Sequence, residues 1–400
     1  MRIAFLTSEF ITESDSFDGG LSNYIFKVAI ALIKFDHHPI IIVSSNENTY
    51  FKYKNIDVYR VKPEPTLVYK AADKISFFKY QLTLDLLLQS YFVNKKLKQL
   101  NKENPIDIVQ FPSHQAIGFF VPKKIKSVMR ISGYQKLADP ANGLYYKTIR
   151  QRQWQILEHK CYKRSKNIIG PSHFLAKIIS KEFKKSVNVI ESPFENSNIK
   201  YDNTILDDIS KQTNNSKYGL FYGRLAQIKG LVEIAKVLND FFYKYPTYYF
   251  VIIGKDVGYK GKPSLEYILE KIENYHDRLI YFKEQPHEKL MPVIKKSEIV
   301  LMPSRIENFP NACVEVMSLN KIVIASKGIS FEQLIDDKIN GFLFENANSK
   351  DLLQVIEEVL NLPSEKRKEI ELNAGKTIKR LHPEITITKL IEYYQSVLKN

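Results

Sequence analysis

Cysteine and tryptophan are scarce in this sequence of 400 residues, which has two cysteines, Cys161 and Cys313, and one tryptophan. Two cysteines cannot build a disulfide framework, and so few of them fit a reducing compartment. No apolar run approaches the roughly 20 residues that a membrane-spanning helix needs. The first apolar run ends at Ser8 and Glu9, so we expect it to be a strand and not a signal peptide. These shortages argue against a disulfide-stabilised secreted scaffold.

Residue patterns that bind metals or nucleic acids are missing as well. No His, Cys, Asp and Glu residues have the spacing of a metal site, and the sequence contains no Asp-x-Asp. We therefore expect no catalytic metal and no cofactor. We also find no zinc-finger spacing and no RNA-recognition aromatic motif, so we expect no nucleic-acid partner.

Acidic residues are in short supply in the first half of the chain only. Residues 1–200 hold 31 lysines and arginines against 17 acids, a net charge of +14, whereas residues 201–400 have a net charge of +1. A polyanion or an anionic membrane surface would meet the first half. A lysine-rich coding sequence explains the same excess, and composition leaves the two explanations open.

Short β-type runs alternate with helical patterns in the first half, which predicts a parallel α/β sheet. A glycine turn at Asp18-Gly19-Gly20 precedes an apolar helical pattern over 23–35. The turn at 36–39, which contains His37 and His38, precedes the second strand. The predicted strands cover 3–7, 40–43, 107–111, 128–131 and 167–169.

A second α/β unit is predicted after a polar segment at 195–217, which is rich in Asn, Asp and Ser and is interpreted as a linker. Its first elements are a strand over 218–222, a helix over 231–243 and a strand over 249–253. Helix–strand alternation continues to about residue 360. Ligands of such sheets bind at the carboxyl ends of the strands.

The most informative stretch runs from Pro303 to Met317. A strand over 298–302 leads into a polar loop, and Phe309-Pro310-Asn311 begins a helix. Proline suits a first helical turn, so we expect the amides of Asn311, Ala312 and Cys313 to be free and to attract phosphate. Glu307 and Glu315 flank this helix start. Amides for a diphosphate beside carboxylates for hydroxyls predict a nucleotide-sugar site.

A second candidate segment, Gly223-Arg224 to Lys229-Gly230, lies between a predicted strand and a predicted helix. Gly223 allows a sharp turn and leaves room for a ligand. Arg224 offers a planar fork to phosphate oxygens, and Lys229 adds a compact positive charge. Taken alone, these are ordinary surface cations; together with the block from Glu307 to Glu315 they predict the other half of one site.

The pattern Pro-Ser-x-x-Glu-x-Phe-x-x-x-x-x-Glu at Pro303–Glu315 resembles the donor-site signature of the GT4 family of retaining glycosyltransferases. The bare spacing of the two glutamates also occurs at Glu357/Glu365 and Glu384/Glu392, which we interpret as solvated helix faces. The resemblance implies a GT-B fold, in which two Rossmann-like, doubly wound α/β domains face each other across a cleft. It implies an acceptor-binding domain at 1–195, a linker at 196–217, a nucleotide-sugar-binding domain at 218–375, and a last helix at 376–400 that packs on the first domain.

The resemblance also assigns roles to residues. Glu315 would bind the ribose hydroxyls, Glu307 and the amides after Phe309 would hold the donor sugar, and Arg224 and Lys229 would neutralise the leaving diphosphate. The residues so expected to act in catalysis are Arg224, Lys229, Glu307 and His114, and those expected to bind the donor are Gly20, Gly223, Asn308, Phe309, Pro310, Asn311, Ala312 and Glu315.

Two of these assignments keep an alternative. The glycine loop with Gly20 would close over the donor, but a plain turn fits as well. His114 stands where the family often has a catalytic His, although the usual His-x-His is absent, and a structural histidine fits equally. The family pattern is also altered at Lys327-Gly328, at Asn320 and at Pro310, which removes one amide donor.

The stretch from Lys70 to Lys98 combines apolar residues with a basic end. It predicts a helix or helix pair that either packs in the core, the interpretation we favour, or lies on an anionic membrane surface.

The resemblance implies a retaining glycosyltransferase that moves a sugar from a nucleotide-diphosphate sugar, with UDP favoured over GDP, to a glycan or lipid-linked acceptor, and the basic first half of the chain fits an anionic acceptor. Such enzymes build surface polysaccharides, glycoproteins or glycolipids in the cytoplasm, with peripheral contact to the inner face of the plasma membrane. Two alternatives stay open, namely a non-catalytic polyanion- or membrane-binding protein, and a nucleotide-sugar epimerase or phosphorylase.

Overall fold

A computed structural model of the protein describes residues 1–10, 19–75, 79–145, 148–195 and 200–399. The chain forms two compact α/β units. The first unit contains residues 1–137, 144–194 and 381–400, and the second contains residues 138–143 and 195–380. The predicted pair of Rossmann-like α/β domains is confirmed.

The first unit is built on a sheet of eight strands in the order β3-β4-β2-β1-β5-β6-β7-β8. All neighbouring strands are parallel except β3, which pairs antiparallel with β4 at the edge. The order reverses between β1 and β5, so this sheet has a topological switch point there. Its strands are β1 Arg2–Thr7, β2 His38–Ser44, β3 Thr49–Tyr53, β4 Ile56–Val61, β5 Ile108–Pro112, β6 Ser127–Arg130, β7 Asn167–Gly170 and β8 Asn188–Val189.

Helices cover both faces of this sheet, because its central strands are apolar on both sides. Helices α3 and α5 pack on one face through residues such as Leu97 and Leu157, and helices α1 and α14 pack on the other through Val28 and Leu390. The helices are α1 Gly20–Lys34, α2 Leu67–Ile75, α3 Gln81–Glu103, α4 Gln135–Ala141, α5 Ile149–Arg164, α6 His173–Phe183 and α14 Pro383–Lys399.

The second unit has six parallel strands in the order β11-β10-β9-β12-β13-β14. Counted from its own first strand, this is 3-2-1-4-5-6, the dinucleotide-binding order, with its switch point between β9 and β12. The strands are β9 Tyr218–Tyr222, β10 Tyr249–Ile253, β11 Leu279–Phe282, β12 Ile299–Met302, β13 Val323–Ser326 and β14 Phe342–Phe344. The helices are α7 Thr204–Gln212, α8 Leu231–Lys244, α9 Ser264–Leu269, α10 His287–Lys296, α11 Asn311–Ser318, α12 Ser349–Leu360 and α13 Ser364–Ile378.

The structure corrects two sequence predictions and adds one pair of strands. Helix α7 lies inside the segment interpreted as a linker, because Ile205 and Ile209 are one turn apart and both buried. Helix α1 begins at Gly20, so Gly20 is a helical residue and not part of a turn. The antiparallel pair β3–β4 was not predicted, since its turn uses Lys54 and Asn55 at positive φ in place of a glycine.

The stretch from Lys70 to Lys98 forms two helices, α2 and α3, and Phe77 and Phe78 lie outside the described residues. Helix α3 packs in the core through residues such as Leu86 and Val93, as the favoured interpretation requires. Helix α2 has no buried residue, and Leu67 is 86% exposed. None of the described helices is both long and apolar enough to cross a membrane.

Candidate active site

The candidate site lies in the second unit at its topological switch point. Strand β9 ends at Tyr222 and the neighbouring strand β12 ends at Met302, and the two strands are parallel. Their loops therefore leave the same edge of the sheet side by side. These are the two loops that the sequence singled out, beginning at Gly223 and Pro303.

Backbone conformation fixes the first loop. Gly223 has a φ of +136° and open space where a Cβ would lie, and its amide donates to the carbonyl of Ile253 at 2.9 Å. The loop thus turns sharply at the strand end while staying joined to β10. The next residue, Arg224, is exposed, and no partner for its guanidinium lies among the described residues. Its charge is available for a ligand.

The two loops touch at Gly230. This residue has a φ of +84°, and a Cβ there would lie 2.1 Å from the carbonyl oxygen of Pro303. The amide of Arg305 also donates to the carbonyl of Ile228 at 2.8 Å. Only glycine permits this approach, so the backbone itself sets the spacing between Lys229 and the glutamate loop.

Lys229 and Glu307 form an ion pair across the two loops. The same carboxylate oxygen of Glu307 accepts a hydrogen bond from the Ser304 hydroxyl at 2.9 Å. The Ser330 hydroxyl donates to the backbone carbonyl of Glu307, also at 2.9 Å. Hydrogen bonds to both its side chain and its backbone therefore hold Glu307 in place. Its side chain is 16% exposed.

The start of helix α11 differs from the sequence prediction in one respect. Helix α11 begins at Asn311, and Pro310 precedes it as the capping residue. The amide of Asn311 donates to the carbonyl of Phe309 at 3.0 Å, so it is not free. Within the described helix, the amides of Ala312 and Cys313 remain as the unpaired first-turn donors, because Val314 makes the first helical bond, to Pro310.

Glu315 lies one turn into helix α11 and has two side-chain partners. The Tyr222 hydroxyl is 3.1 Å from Glu315 Oε2 and 2.8 Å from the carbonyl oxygen of Ala312. Burial and the nearby carboxylate raise the pKa of Tyr222 far above its usual value, so its hydroxyl stays protonated and donates. His287 Nε2 lies 3.2 Å from Glu315 Oε1. Neither Tyr222 nor His287 was predicted from the sequence to belong to the site.

Arg305 is a further residue that the sequence analysis missed. Its guanidinium donates to Glu233 Oε1 of helix α8 at 2.7 and 3.2 Å, and only 3% of the Glu233 side chain is exposed. Its backbone carbonyl accepts from Asn346 at 2.9 Å. With Gln227 in the amide orientation that satisfies its neighbours, the Gln227 oxygen accepts from Arg305 at 2.6 Å. Arg305 thereby ties the glutamate loop to the start of helix α8.

Comparison with known proteins finds one family model that matches most of the second unit. Residues 202–377 match the family model described as glycosyl transferases group 1. Over these residues the chain is similar to that family. The match spans both loops of the site, the buried pair Arg305–Glu233 and helix α11.

Curated relatives of the family match only part of their length. An uncharacterized glycosyltransferase of Methanocaldococcus jannaschii is 26% identical over 210 residues, which are 52% of this chain and 57% of the relative. The alpha-D-kanosaminyltransferase of Streptomyces kanamyceticus is 24% identical over 156 residues, which are 39% of each chain. The chain thus spans between about two fifths and three fifths of these two relatives.

Solved structures match over the whole chain. A sucrose-phosphate synthase from Thermosynechococcus elongatus has a TM-score of 0.76 at 14% identity, covering 100% of this chain and 99% of that one. Anabaena HepE in complex with UDP and glucose has a TM-score of 0.69 at 16% identity, covering 99% and 100%. These likenesses concern the fold, and they confirm the predicted GT-B class.

The glycosyl transferase signature is altered at three places, and one of them, Pro310, is the capping residue of helix α11. Asn320 has a φ of +55° just after helix α11, a conformation that asparagine tolerates better than most residues, so it can replace the usual glycine. The amide of Gly328 donates to Glu332 at 3.0 Å.

Among the described residues, no group of three His, Cys, Asp or Glu side chains is placed to hold a metal ion.

Other predicted residues take distinct places. Phe309 is buried beside the helix start, and Asn308 is half-buried in the same loop. Gly20 lies in the first unit, as the first residue of α1, while Asp18 lies outside the described residues. The structure therefore brings Lys229, Glu307, Asn308–Ala312 and Glu315 together with Gly223 and Arg224, and it puts Gly20 and His114 on the other unit.

His114 lies two residues after the end of β5, at the switch point of the first sheet. Its ring packs on Trp154 with 5.1 Å between centroids, and burial lowers the pKa of His114 to about 4. A neutral imidazole follows at physiological pH. On the other side of this switch point, in the loop after β1, burial also raises the pKa of Glu9, whose carboxylate lies against Gly19.

Proposed function

We propose that the chain is a retaining glycosyltransferase that binds a nucleotide-diphosphate sugar in its second unit. The observation that carries the proposal is the convergence of Lys229, Glu307, Glu315 and the first amides of helix α11 at one switch point. Cations and helix amides suit a diphosphate, and carboxylates suit sugar hydroxyls. The match of residues 202–377 to the glycosyl transferases of group 1 supports the same activity.

In the proposed complex, Glu315 accepts hydrogen bonds from the ribose hydroxyls. The carboxylate is already oriented by Tyr222 and His287, so little ordering remains to be done on binding. We favour UDP as the nucleotide because Anabaena HepE, which has the same fold, was solved with UDP and glucose.

The ion pair between Lys229 and Glu307 changes partners in this proposal. A diphosphate attracts the Lys229 ammonium and the exposed Arg224 guanidinium, which leaves a carboxylate oxygen of Glu307 for a hydroxyl of the donor sugar. As the glycosidic bond breaks, negative charge develops on the leaving diphosphate. The two cations and the amides of Ala312 and Cys313 stabilise that charge.

The acceptor hydroxyl attacks from the face that the leaving group departs, which keeps the anomeric configuration. We assign no covalent nucleophile, because both glutamates are committed to binding the donor. The first unit would bind the acceptor. Residues 1–200, which supply most of the first unit, have a net charge of +14. This charge fits an anionic glycan or lipid-linked acceptor, and peripheral contact with an anionic membrane.

Nucleotide binding is the first test. UDP, GDP and ADP at millimolar concentration are added to the wild type, to Glu315→Ala and to Glu365→Ala, and the shift in Tm is recorded. We expect one nucleotide, UDP, to stabilise the wild type and Glu365→Ala alike. Loss of two charge-assisted hydrogen bonds should weaken binding to Glu315→Ala by at least about tenfold. Glu365 is exposed on helix α13 and has the same spacing from Glu357.

Transfer is the second test. The protein is incubated with a panel of UDP sugars and candidate acceptors, and NMR of the product gives the anomeric configuration. Release of UDP together with a retained configuration supports the proposal. Equal binding of all nucleotides to Glu315→Ala and the wild type would contradict the donor site, and an inverted product would contradict the retaining mechanism.

A further inference from the structure

A cavity with a volume of about 880 Å³ lies in the first unit. Its lining includes Ser127 and Asn167, which are the first residues of β6 and β7. Because these strands are parallel, both residues lie at the amino edge of the sheet. His114 lies two residues after the end of β5, at the carboxyl edge. The cavity is therefore separate from the part of the first unit expected to face the donor.

The rim of this cavity is strongly basic. The described residues that line the cavity include no aspartate or glutamate but five cations, namely Lys123, Lys124, Lys126, Arg164 and Lys166. Because no carboxylate lies among these lining residues, the cations repel one another. A bound anion removes that repulsion and gains charge-assisted hydrogen bonds.

The floor of the cavity is apolar. Phe111, Cys161 and Val397 are buried, and the rest of the apolar lining includes Phe119, Val121, Pro122 and Ile125. Burial raises the pKa of the Cys161 thiol to about 12, so Cys161 acts as a small neutral hydrophobe. The Arg164 guanidinium lies over the Phe119 ring at 4.7 Å, which joins the basic rim to the apolar floor.

The walls are held in place by hydrogen bonds to backbone carbonyls. Lys185 Nζ donates to the carbonyls of Tyr162, Lys163 and Ser165 at 2.9, 2.6 and 2.5 Å, which fixes the last turn of helix α5. Asn167 donates to the carbonyl of Ser127 at 3.0 Å, which joins the starts of β6 and β7. Pockets with such preformed walls and a volume of roughly 300–1,000 Å³ are typical of small-molecule sites.

We propose that this cavity binds a phosphorylated amphiphile, with its phosphate among the rim cations and its hydrocarbon part against the apolar floor. A free phosphate would use the rim and leave the floor empty. An uncharged lipid would leave the rim cations unpaired. The observed combination fits a ligand that has both parts, which is either a soluble molecule or the headgroup region of a membrane lipid.

The test compares two matched pairs of lysines by isothermal titration calorimetry. Lys126→Ala/Lys166→Ala removes two rim charges, and Lys177→Ala/Lys181→Ala removes two exposed charges from helix α6, outside the cavity. The probes are phosphatidic acid with two six-carbon chains, below its critical micelle concentration, and inorganic phosphate. We expect the rim variant to bind the phosphatidic acid at least about tenfold more weakly and the α6 variant to match the wild type within about twofold.

Vesicles of phosphatidylcholine with and without phosphatidic acid identify the source of the ligand. Vesicle binding that the rim variant loses, and that the short-chain probe blocks, supports a membrane lipid; short-chain binding without vesicle binding supports a soluble ligand. The proposal is overturned if inorganic phosphate binds as tightly as the short-chain probe, if both lysine pairs lose binding equally, or if neither probe binds. Unchanged Trp154 fluorescence checks that the variants are folded, and none of these measurements depends on sugar transfer.

Discussion

At the scale of single residues, Gly230 carries a large share of the site's geometry. We expect Gly230→Ala to lower the free energy of unfolding of the second unit by several kcal/mol, because it adds both backbone strain and a clash with the carbonyl of Pro303. Gly261→Ala is the matched control, since Gly261 has a similar φ of +82° and no atom near a Cβ. Its cost should stay near 1 kcal/mol, roughly that of strain alone.

Thermal unfolding followed by circular dichroism measures both glycine variants. Equal losses for Gly230→Ala and Gly261→Ala would contradict the close contact between the two loops. We further expect Gly230→Ala to weaken nucleotide binding, whereas Gly261→Ala should not.

His114 makes stability depend on pH. Its pKa in the folded protein is about 4, below the usual 6.5, so the unfolded chain takes up a proton first as the pH falls. The neutral histidine thus contributes stability above pH 6.5 that is lost as the pH falls toward 4. Between pH 7 and pH 5, His114→Gln should lose less stability than the wild type, by up to about 2 kcal/mol.

Trp154 reports this experiment directly, because it is the one tryptophan of the chain and packs on His114. Urea unfolding at pH 7 and pH 5 is followed by its fluorescence, and His38→Gln, at an exposed position, is the control. An identical pH response in wild type and His114→Gln would show that burial does not hold His114 neutral.

The residues predicted from sequence are those whose partners lie in the same short segment. Glu307 and Glu315 share one loop and helix, so their spacing carries a recognisable pattern. The residues that were not predicted have partners far along the chain. Tyr222 and His287 contact Glu315, which is 93 and 28 positions away, and Arg305 contacts Glu233, which is 72 positions away. No local pattern links such residues, and only the sheet order brings them together.

At the scale of elements, the second sheet follows its sequence closely, and the strands over 218–222 and 249–253 have the predicted bounds. Runs that are buried on both sides stand out in the sequence. The edge strand β3 and helix α7 do not, because β3 has no buried residue and helix α7 buries only Ile205 and Ile209. Pro310 predicted where helix α11 begins. It did not predict that the Asn311 amide donates to the carbonyl of Phe309.

The pair Arg305–Glu233 joins two elements, and we expect Glu233→Gln to cost about 3 kcal/mol because it leaves a largely buried guanidinium without its counter-charge. Weaker nucleotide binding should accompany the loss, since the glutamate loop is then less well held. The double variant Glu233→Leu/Arg305→Met should recover part of the stability, because it leaves no unpaired charge.

A double-mutant cycle on unfolding free energies, with nucleotide affinity measured alongside, checks this coupling. The cycle needs the single variants Glu233→Leu and Arg305→Met. If their effects on the free energy of unfolding add up to that of the double variant, the two side chains do not stabilise each other. Recovery of stability without recovery of affinity would identify the pair as positioning residues for the site.

At the scale of the whole molecule, helix α14 belongs to the first unit although the chain reaches it through the second. Tyr394 is fully buried, and its hydroxyl donates to Gln110 at 2.5 Å. We expect Tyr394→Ala to destabilise the first unit by about 3–5 kcal/mol. Tyr394→Phe keeps the ring and should cost only about 1–3 kcal/mol, for the unpaired amide oxygen.

Trp154 fluorescence follows unfolding of the first unit, and nucleotide binding under native conditions follows the second. Both Tyr394 variants should shift the fluorescence transition and leave nucleotide affinity unchanged. A Tyr394→Ala protein with an unshifted fluorescence transition would contradict the place of helix α14 in the core of the first unit.

This chain path has a consequence for synthesis on the ribosome. Residues up to 380 complete the second unit, while the first unit still lacks Ile387, Leu390, Tyr394 and Val397 from its core. The half that is translated first is therefore the half that finishes folding last. Until residues 383–399 leave the exit tunnel, an apolar face of the first sheet stays uncovered, which is the kind of surface that chaperones bind in nascent chains.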